Sequence, residues 1–335
     1  MNVAVIGLGL IGGSLLRALA AQGHPVSGYD LDPQTRAAAG ALAKAATLPQ
    51  SADPATRGIA FKGEWRVAAS IAEAVEGAEL VVLAVPLPAI PGVLAELTGH
   101  PGLLTDVTSV QGPVRDLMAG RRFVGGHPMA GKESSGFLAS DPKLFDGSAW
   151  VLCLEPDTTD LTDWLTLARL YTGLGARVVP VTAADHDRTV AEISHVPHLL
   201  AAALSTVLAG NPLAGLLAAG SFRDGTRVAG TRPELIAAMG GGNAPAVRQV
   251  LAGILGRLEE YERDLASDEP IAALTERLRV PSELRRAWPP RPDVTVEVPA
   301  EPGALLALGQ AGGWVTEVRE DRLEAMRPET DRNRS

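Results

Sequence analysis

The run Gly7-Leu8-Gly9-Leu10-Ile11-Gly12 constrains the fold of this chain more than any other feature, because the short apolar stretch Val3–Ile6 leads into it and a helical pattern leaves it. Three glycines at that spacing between a strand and a helix are the fingerprint of a dinucleotide-binding β-α-β unit. The first permits a tight turn, the second lets the backbone approach a pyrophosphate, and the third lets the helix pack on the strand. The helix N-terminus then offers unpaired amides and a partial positive charge to the phosphates. The next apolar stretch ends in Gly28-Tyr29-Asp30, placing a carboxylate about where the hydroxyls of an adenosine ribose would lie. An ionised Asp30 accepts from those hydroxyls and repels a 2′-phosphate, which favours NAD over NADP. Asp32 is the substitute acid and Arg36 the nearby cation. By the same logic the strand end Ala84-Val85-Pro86 passes the nicotinamide half, where its apolar residues exclude water.

Around this unit the pattern alternates. Apolar runs at Val3–Ile6, Val26–Tyr29, Leu80–Val85, Leu103–Asp106, Phe123–Gly126, Trp150–Leu154 and Arg177–Val181 are separated by helical stretches. That is the order of an α/β fold with a Rossmann-like, doubly wound parallel sheet, expected over residues 1–182. Residues 183–280 carry no convincing strand and are rich in Ala and Leu at helical spacing, which predicts an all-α second domain. Its long apolar helices exceed what a small domain needs to cover itself, so part of that surface is expected to be buried in a homodimer. Beyond Val280, Pro289-Pro290-Arg291-Pro292 reads as a stiff linker. A short appendage follows, with strands at Val294–Val298 and Trp314–Val318 and a helix at Pro302–Leu308. It resembles the opening of an ACT domain but is too short for a whole one, so 281–335 is expected to be a linker, a truncated ACT-like segment and a disordered tail.

Composition excludes several function classes. A net charge of -9, spread along the chain, argues against nucleic acid as a partner. The single Cys153 cannot form an internal disulfide, and no Cys/His cluster has metal-ligand spacing, so a reducing, cytoplasmic setting without a metal is expected. The apolar start is broken by glycines, and Leu80–Leu97 by Pro86, Pro88 and Pro91, so no membrane segment is expected.

Two loops carry chemistry. Asp106-Val107-Thr108-Ser109 ends a strand, so the Ser109 hydroxyl should project at the carboxyl edge of the sheet, where ligands bind in this architecture. Phe123-Val124-Gly125-Gly126-His127-Pro128-Met129-Ala130-Gly131-Lys132-Glu133 puts an imidazole at the mouth of another strand, between glycines that let a ligand come close. His127 is the candidate catalytic group. Lys132, one of only four lysines, directly follows that loop.

With Ser194-His195-Val196-Pro197-His198 on the first helix of the second domain, these motifs give the chain its likeness. From Met1 to about residue 265 it resembles the prephenate/arogenate dehydrogenase family. The resemblance implies that a hydride is removed from the ring carbon bearing the hydroxyl and passed to NAD, while the ring carboxylate is lost as carbon dioxide. It implies that His127 accepts the hydroxyl proton, a task suited to an imidazole whose unperturbed pKa of about 6.5 leaves it largely neutral near pH 7. Ser109 would hold the same hydroxyl and the nicotinamide. The substrate is a dicarboxylate, and Arg227, in Phe222-Arg223-Asp224-Gly225-Thr226-Arg227, occupies the place of the family's carboxylate-binding arginine, with Arg223 as competitor. Lys132, His198 and His195 are further substrate-binding candidates, with buried packing as the alternative for the two histidines. Glu133 and Asp224 would orient the cations. The competing activities are an arogenate dehydrogenase, another two-domain β-hydroxyacid or imine oxidoreductase, and a non-enzymatic NAD sensor. The helical segment contains no lysine of the kind the hydroxyacid enzymes employ.

Overall fold

The computed structural model describes residues 1–46, 65–132, 134–289, 292–320 and 322–328. Glu133, Pro290, Arg291 and the tail 329–335 lie outside the described residues. Two compact units result: Met1–His186 together with Thr295–Met326, and Asp187–Val294 with Arg327 and Pro328.

In the first unit, strands β1 (Val3–Ile6), β2 (Val26–Tyr29), β3 (Trp65–Val67), β4 (Leu80–Leu83), β5 (Leu103–Asp106) and β6 (Phe123–Val124) form one sheet in the order β3-β2-β1-β4-β5-β6. Every pairing in it is parallel. Its central strands β1, β4 and β5 are buried along their whole length, which is why they read as unbroken apolar runs and not as alternating ones. β3 went unforeseen because three residues give no period to detect.

The sheet ends sooner than the sequence suggested. After β6 a single residue, Gly125, carries the chain into a second sheet built from β7 (Gly126–Pro128), β8 (Ala149–Cys153) and β9 (Arg177–Val181). β7 pairs with β8 antiparallel, and β8 with β9 parallel, so the two late apolar runs are not part of the parallel sheet as expected. Where Gly125 crosses over, a Cβ would meet Gln111 Oε1, so a larger residue there would displace the Gln111 amide.

The C-terminal segment, expected as a short appendage, is joined to the first unit. Strands β10 (Pro292–Pro299), β11 (Trp314–Val318) and β12 (Arg322–Pro328) extend the second sheet in the order β10-β12-β11-β9-β8-β7. β11 runs antiparallel to both β12 and β9. The helix Pro302–Gln310 closes on β9 so tightly that a Cβ on Gly309 would overlap the carbonyl of Pro180. Leu305, Val315, Leu323 and Ala325 join Trp150, Trp164 and Tyr171 in one core. Trp150 and Tyr171 stack at 3.8 Å within it.

The second unit is helical, from the remainder of Ala183–Val190 to Pro270–Ala287. A π-turn at Ala191–His195 precedes the helix Val196–Ser205. Its cause is local: Pro197 has no N–H to give Ile193, and a widened turn absorbs the ring. By length and composition, Ala183–Leu208 is long and apolar enough to span a bilayer. Within that stretch Asp185, Asp187, Arg188 and Glu192 are charges that a hydrocarbon core accepts only at high cost. Leu204, Leu213, Leu216, Leu217, Leu258 and Ile271 are exposed in this unit.

Candidate active site

The glycine turn has the shape its sequence requires. Gly7 adopts φ +98°, a left-handed conformation that a side chain would strain, and a Cβ there would strike the carbonyl of Ala84. A Cβ on Gly12 would overlap Gly7 O, whereas one on Gly9 would meet nothing within 4 Å. Two glycines therefore serve internal packing, and the middle one faces open space where a pyrophosphate can approach. The helix Leu10–Ala21 begins at Gly9 with neither a side-chain cap nor an acidic residue in its first turn, which leaves its N-terminal amides for an anion.

Asp30 sits beside this turn: its Oδ2 accepts from Leu8 N at 2.7 Å and its Oδ1 from Asp32 N at 2.9 Å. A carboxylate has further lone pairs, so a carboxylate held in this way can still receive ribose hydroxyls. Arg36 gives its Nη1 to the carbonyls of Asp30 and Leu31 and lies over the Tyr29 ring. Asp32 is engaged in capping Thr35 and Gln34. Val85 and Pro86 follow the carboxyl end of β4, half-buried and exposed respectively. These residues fit a dinucleotide with free ribose hydroxyls.

At the carboxyl end of β5 a fully buried carboxylate organises both loops that bear chemistry. Asp106 Oδ1 accepts from Gly126 N at 3.0 Å, and its Oδ2 from Thr108 N at 2.9 Å, from the Thr108 hydroxyl and from Gln111 Nε2 at 3.2 Å. Gln111 Nε2 also reaches the carbonyls of Thr108 and Gly126. Ser109 and His127 thus each neighbour a residue bonded to the same carboxyl group. Neither Asp106 nor Gln111 was singled out in the sequence; an acid ending an otherwise apolar strand was the available signal.

Burial pushes the Asp106 carboxyl up to about 6, against the lowering effect of the bonds from Thr108, Gly126 and Gln111. The folded protein then holds this proton more tightly than the unfolded chain, where it leaves near 3.9. Below about pH 4 both states are protonated and the group contributes nothing; raising the pH through 6 destabilises the fold by up to about 3 kcal/mol. Urea unfolding at pH 4.5 and 7.5 should show a fall in stability that Asp106→Asn largely removes. An identical pH dependence in the two proteins would contradict the assignment.

His127 lies on β7, opposite Val151 of β8. Residues directly opposite share a face, and this face also carries Cys153 and Val181, covered by Ala183. The helix Ala183–Val190 is fixed above it by Glu155 Oε1, which accepts from Ala183 N at 2.6 Å, and by Thr182 Oγ1, which accepts from Asp185 N at 3.1 Å. It brings the buried His186 to His127, with Nδ1 of His127 2.9 Å from Nε2 of His186. The rings meet edge to face, 5.1 Å between centroids. Sequence reasoning missed His186, although it lies a few residues past the carboxyl end of a strand.

The remaining candidates divide between the units. Lys132 pairs with Asp141 at 2.8 Å, and Asp141 N donates to Ser14 Oγ on the glycine-turn helix. That pairing lowers the Asp141 carboxyl below its usual range. In the second unit, His198 Nδ1 bonds Ser194 O at 2.8 Å. His195 is buried and its Nδ1 is 3.3 Å from Asn243 Nδ2, which donates to Asp187 O. Arg223 and Asp224 lie on the helix Gly220–Thr226, and Arg227 opens the turn after it; all three are exposed. Glu133 is outside the described residues.

A parallel sheet in this order, with a glycine cradle at its switch point and an acid ending its second strand, defines the nucleotide-binding part of a dinucleotide-dependent dehydrogenase. Comparison with known proteins narrows the class. Residues 49–180 match the nucleotide-binding domain of prephenate dehydrogenase, and residues 182–279 match its dimerization domain. The chain is 30% identical to prephenate dehydrogenase of Bacillus subtilis, over 91% of this chain and 82% of that protein. Among solved structures, prephenate dehydrogenase of A. aeolicus, in complex with hydroxyphenyl propionate and NAD+, has a TM-score of 0.70 and 27% identity, covering 85% of this chain and 98% of that one. Synechocystis arogenate dehydrogenase has a TM-score of 0.70 and 29% identity, covering 86% and 100%. The chain belongs to the prephenate dehydrogenase family.

Proposed function

We propose that the protein is an NAD-dependent prephenate dehydrogenase that oxidises and decarboxylates prephenate to 4-hydroxyphenylpyruvate, on the route to tyrosine. Family membership across both matched regions carries this reading. When bound, NAD supplies the hydride acceptor. The chain's own residues have the other tasks. As hydride departs from the ring carbon, positive charge builds on that carbon and its oxygen, and His127 relieves it by taking the hydroxyl proton. Ser109 hydrogen-bonds the same oxygen and keeps it in line. The electron pair of the bond to the departing carboxylate falls into the ring, which becomes aromatic.

The proposed task of Arg227 is to bind a substrate carboxylate through its planar fork, with Asp224 and Glu133 proposed to orient it. Lys132 and His198 are secondary substrate contacts in the same proposal. Arogenate, with an amino group in place of the side-chain keto group, is the second reading, favoured by the likeness to the Synechocystis enzyme. Purified protein should generate NADH from NAD with prephenate, and Arg227→Ala should raise KM for prephenate while leaving KM for NAD unchanged. Turnover of neither prephenate nor arogenate would defeat the assignment.

The exposed leucines of the second unit are proposed to be covered in a homodimer, a reading supported by the match to a dimerization domain. Light scattering should give twice the chain mass, and a monomer at micromolar concentration would refute it. A reducing cytoplasm is the proposed location, supported by the single cysteine, Cys153, whose thiol is buried.

A further inference from the structure

We infer that His186 is a positioning residue whose Nε2 accepts a hydrogen bond from His127 Nδ1–H, fixing the catalytic imidazole in the tautomer that carries no hydrogen on Nε2. The inference rests on the reading of His127 as proton acceptor. When neither ring carries a second proton, two imidazole nitrogens 2.9 Å apart share one hydrogen, and it can sit on either side. Were His186 the donor, His127 would carry its own hydrogen on Nε2 and could not receive a proton there. Only the opposite arrangement, with the His186 hydrogen on Nδ1, makes a base of His127.

The surroundings suit that task. His186 is buried, so water competes little for its Nε2, while His127 is only half-buried and keeps an open side. The position of His186 is set by the start of its helix: its own amide bonds Thr182 O at 2.9 Å, and Glu155 and Thr182 cap the turn. The edge-to-face meeting of the rings lets a hydrogen in the plane of His127 point at the Nε2 of its partner. His186 thereby occupies the place that a carboxylate holds in hydrolase triads.

Two variants of the full-length protein separate positioning from packing. His186→Leu fills the space without an acceptor, and His186→Gln restores an acceptor near the position of Nε2. His186→Leu should lower kcat about 10- to 100-fold with KM for NAD unchanged, and His186→Gln should recover most of it. In the unaltered protein, 15N resonances of His127 should show the hydrogen on Nδ1. A His127 hydrogen found on Nε2, or a folded His186→Leu with kcat within twofold of the parent, overturns the inference. Failure of the base assignment reads differently: His127→Asn would then keep full turnover whatever His186→Leu does, and the tautomer measurement does not depend on activity.

Discussion

Replacing His127 by Asn should lower kcat by about a hundredfold or more while NAD binds as before. Asn can still hydrogen-bond a hydroxyl, but an amide does not take up its proton, so the variant isolates proton transfer from contact. NAD binding should be spared because the glycine cradle and Asp30 are built on β1, β2 and the helix Leu10–Ala21, whereas His127 stands on β7 of the other sheet. The fold should also persist: β7 pairs through its backbone, and the anchor at Gly126 is an amide donating to Asp106. Steady-state kinetics combined with NAD titration would check both halves. A variant with full turnover would move the proton acceptor elsewhere.

A chain ending at Pro289 should fail to form a stable first unit. The lost segment supplies three strands of the second sheet and the helix against β9, and it buries Leu305, Leu308, Val315 and Leu323 in the shared core. At about 1.5–3 kcal/mol for each aliphatic side chain, those four contribute roughly 6–12 kcal/mol. A domain of ordinary stability has only about 5–15 kcal/mol in total. The truncated chain would in addition expose the edge of β9, a template for aggregation. Circular dichroism and thermal melting should show a molten or insoluble product. The milder Val315→Asp, which puts an unpaired charge into the same core, should lower the melting temperature sharply. A truncated protein that melts like the parent would restore the segment to the status of a dispensable appendage.

The place of this segment in the second sheet escaped the sequence for a reason that also governs the candidate site. Two of its three strands and its helix were readable locally, with Trp314–Val318 foreseen to the residue, but β12 was not, and the partner of β11 is β9, far away in the sequence. No local period reports such a pairing. The same holds for His186, whose approach to His127 depends on three strands lying side by side, and for Asp106, whose link to Gly126 spans two sheets.

What the sequence determined by itself was whatever one segment must satisfy alone: the glycines that only a crowded turn demands, the unbroken apolar strands of a sheet covered on both faces, and the helical period after residue 183. Those demands are set by backbone sterics and burial over a few residues, so they leave a mark where they act. Tertiary structure decided where the parallel sheet stops, which strands complete the second sheet, and which buried groups hold the imidazole. These are choices among long-range contacts of similar local cost, and only the packing of the whole first unit selects one of them.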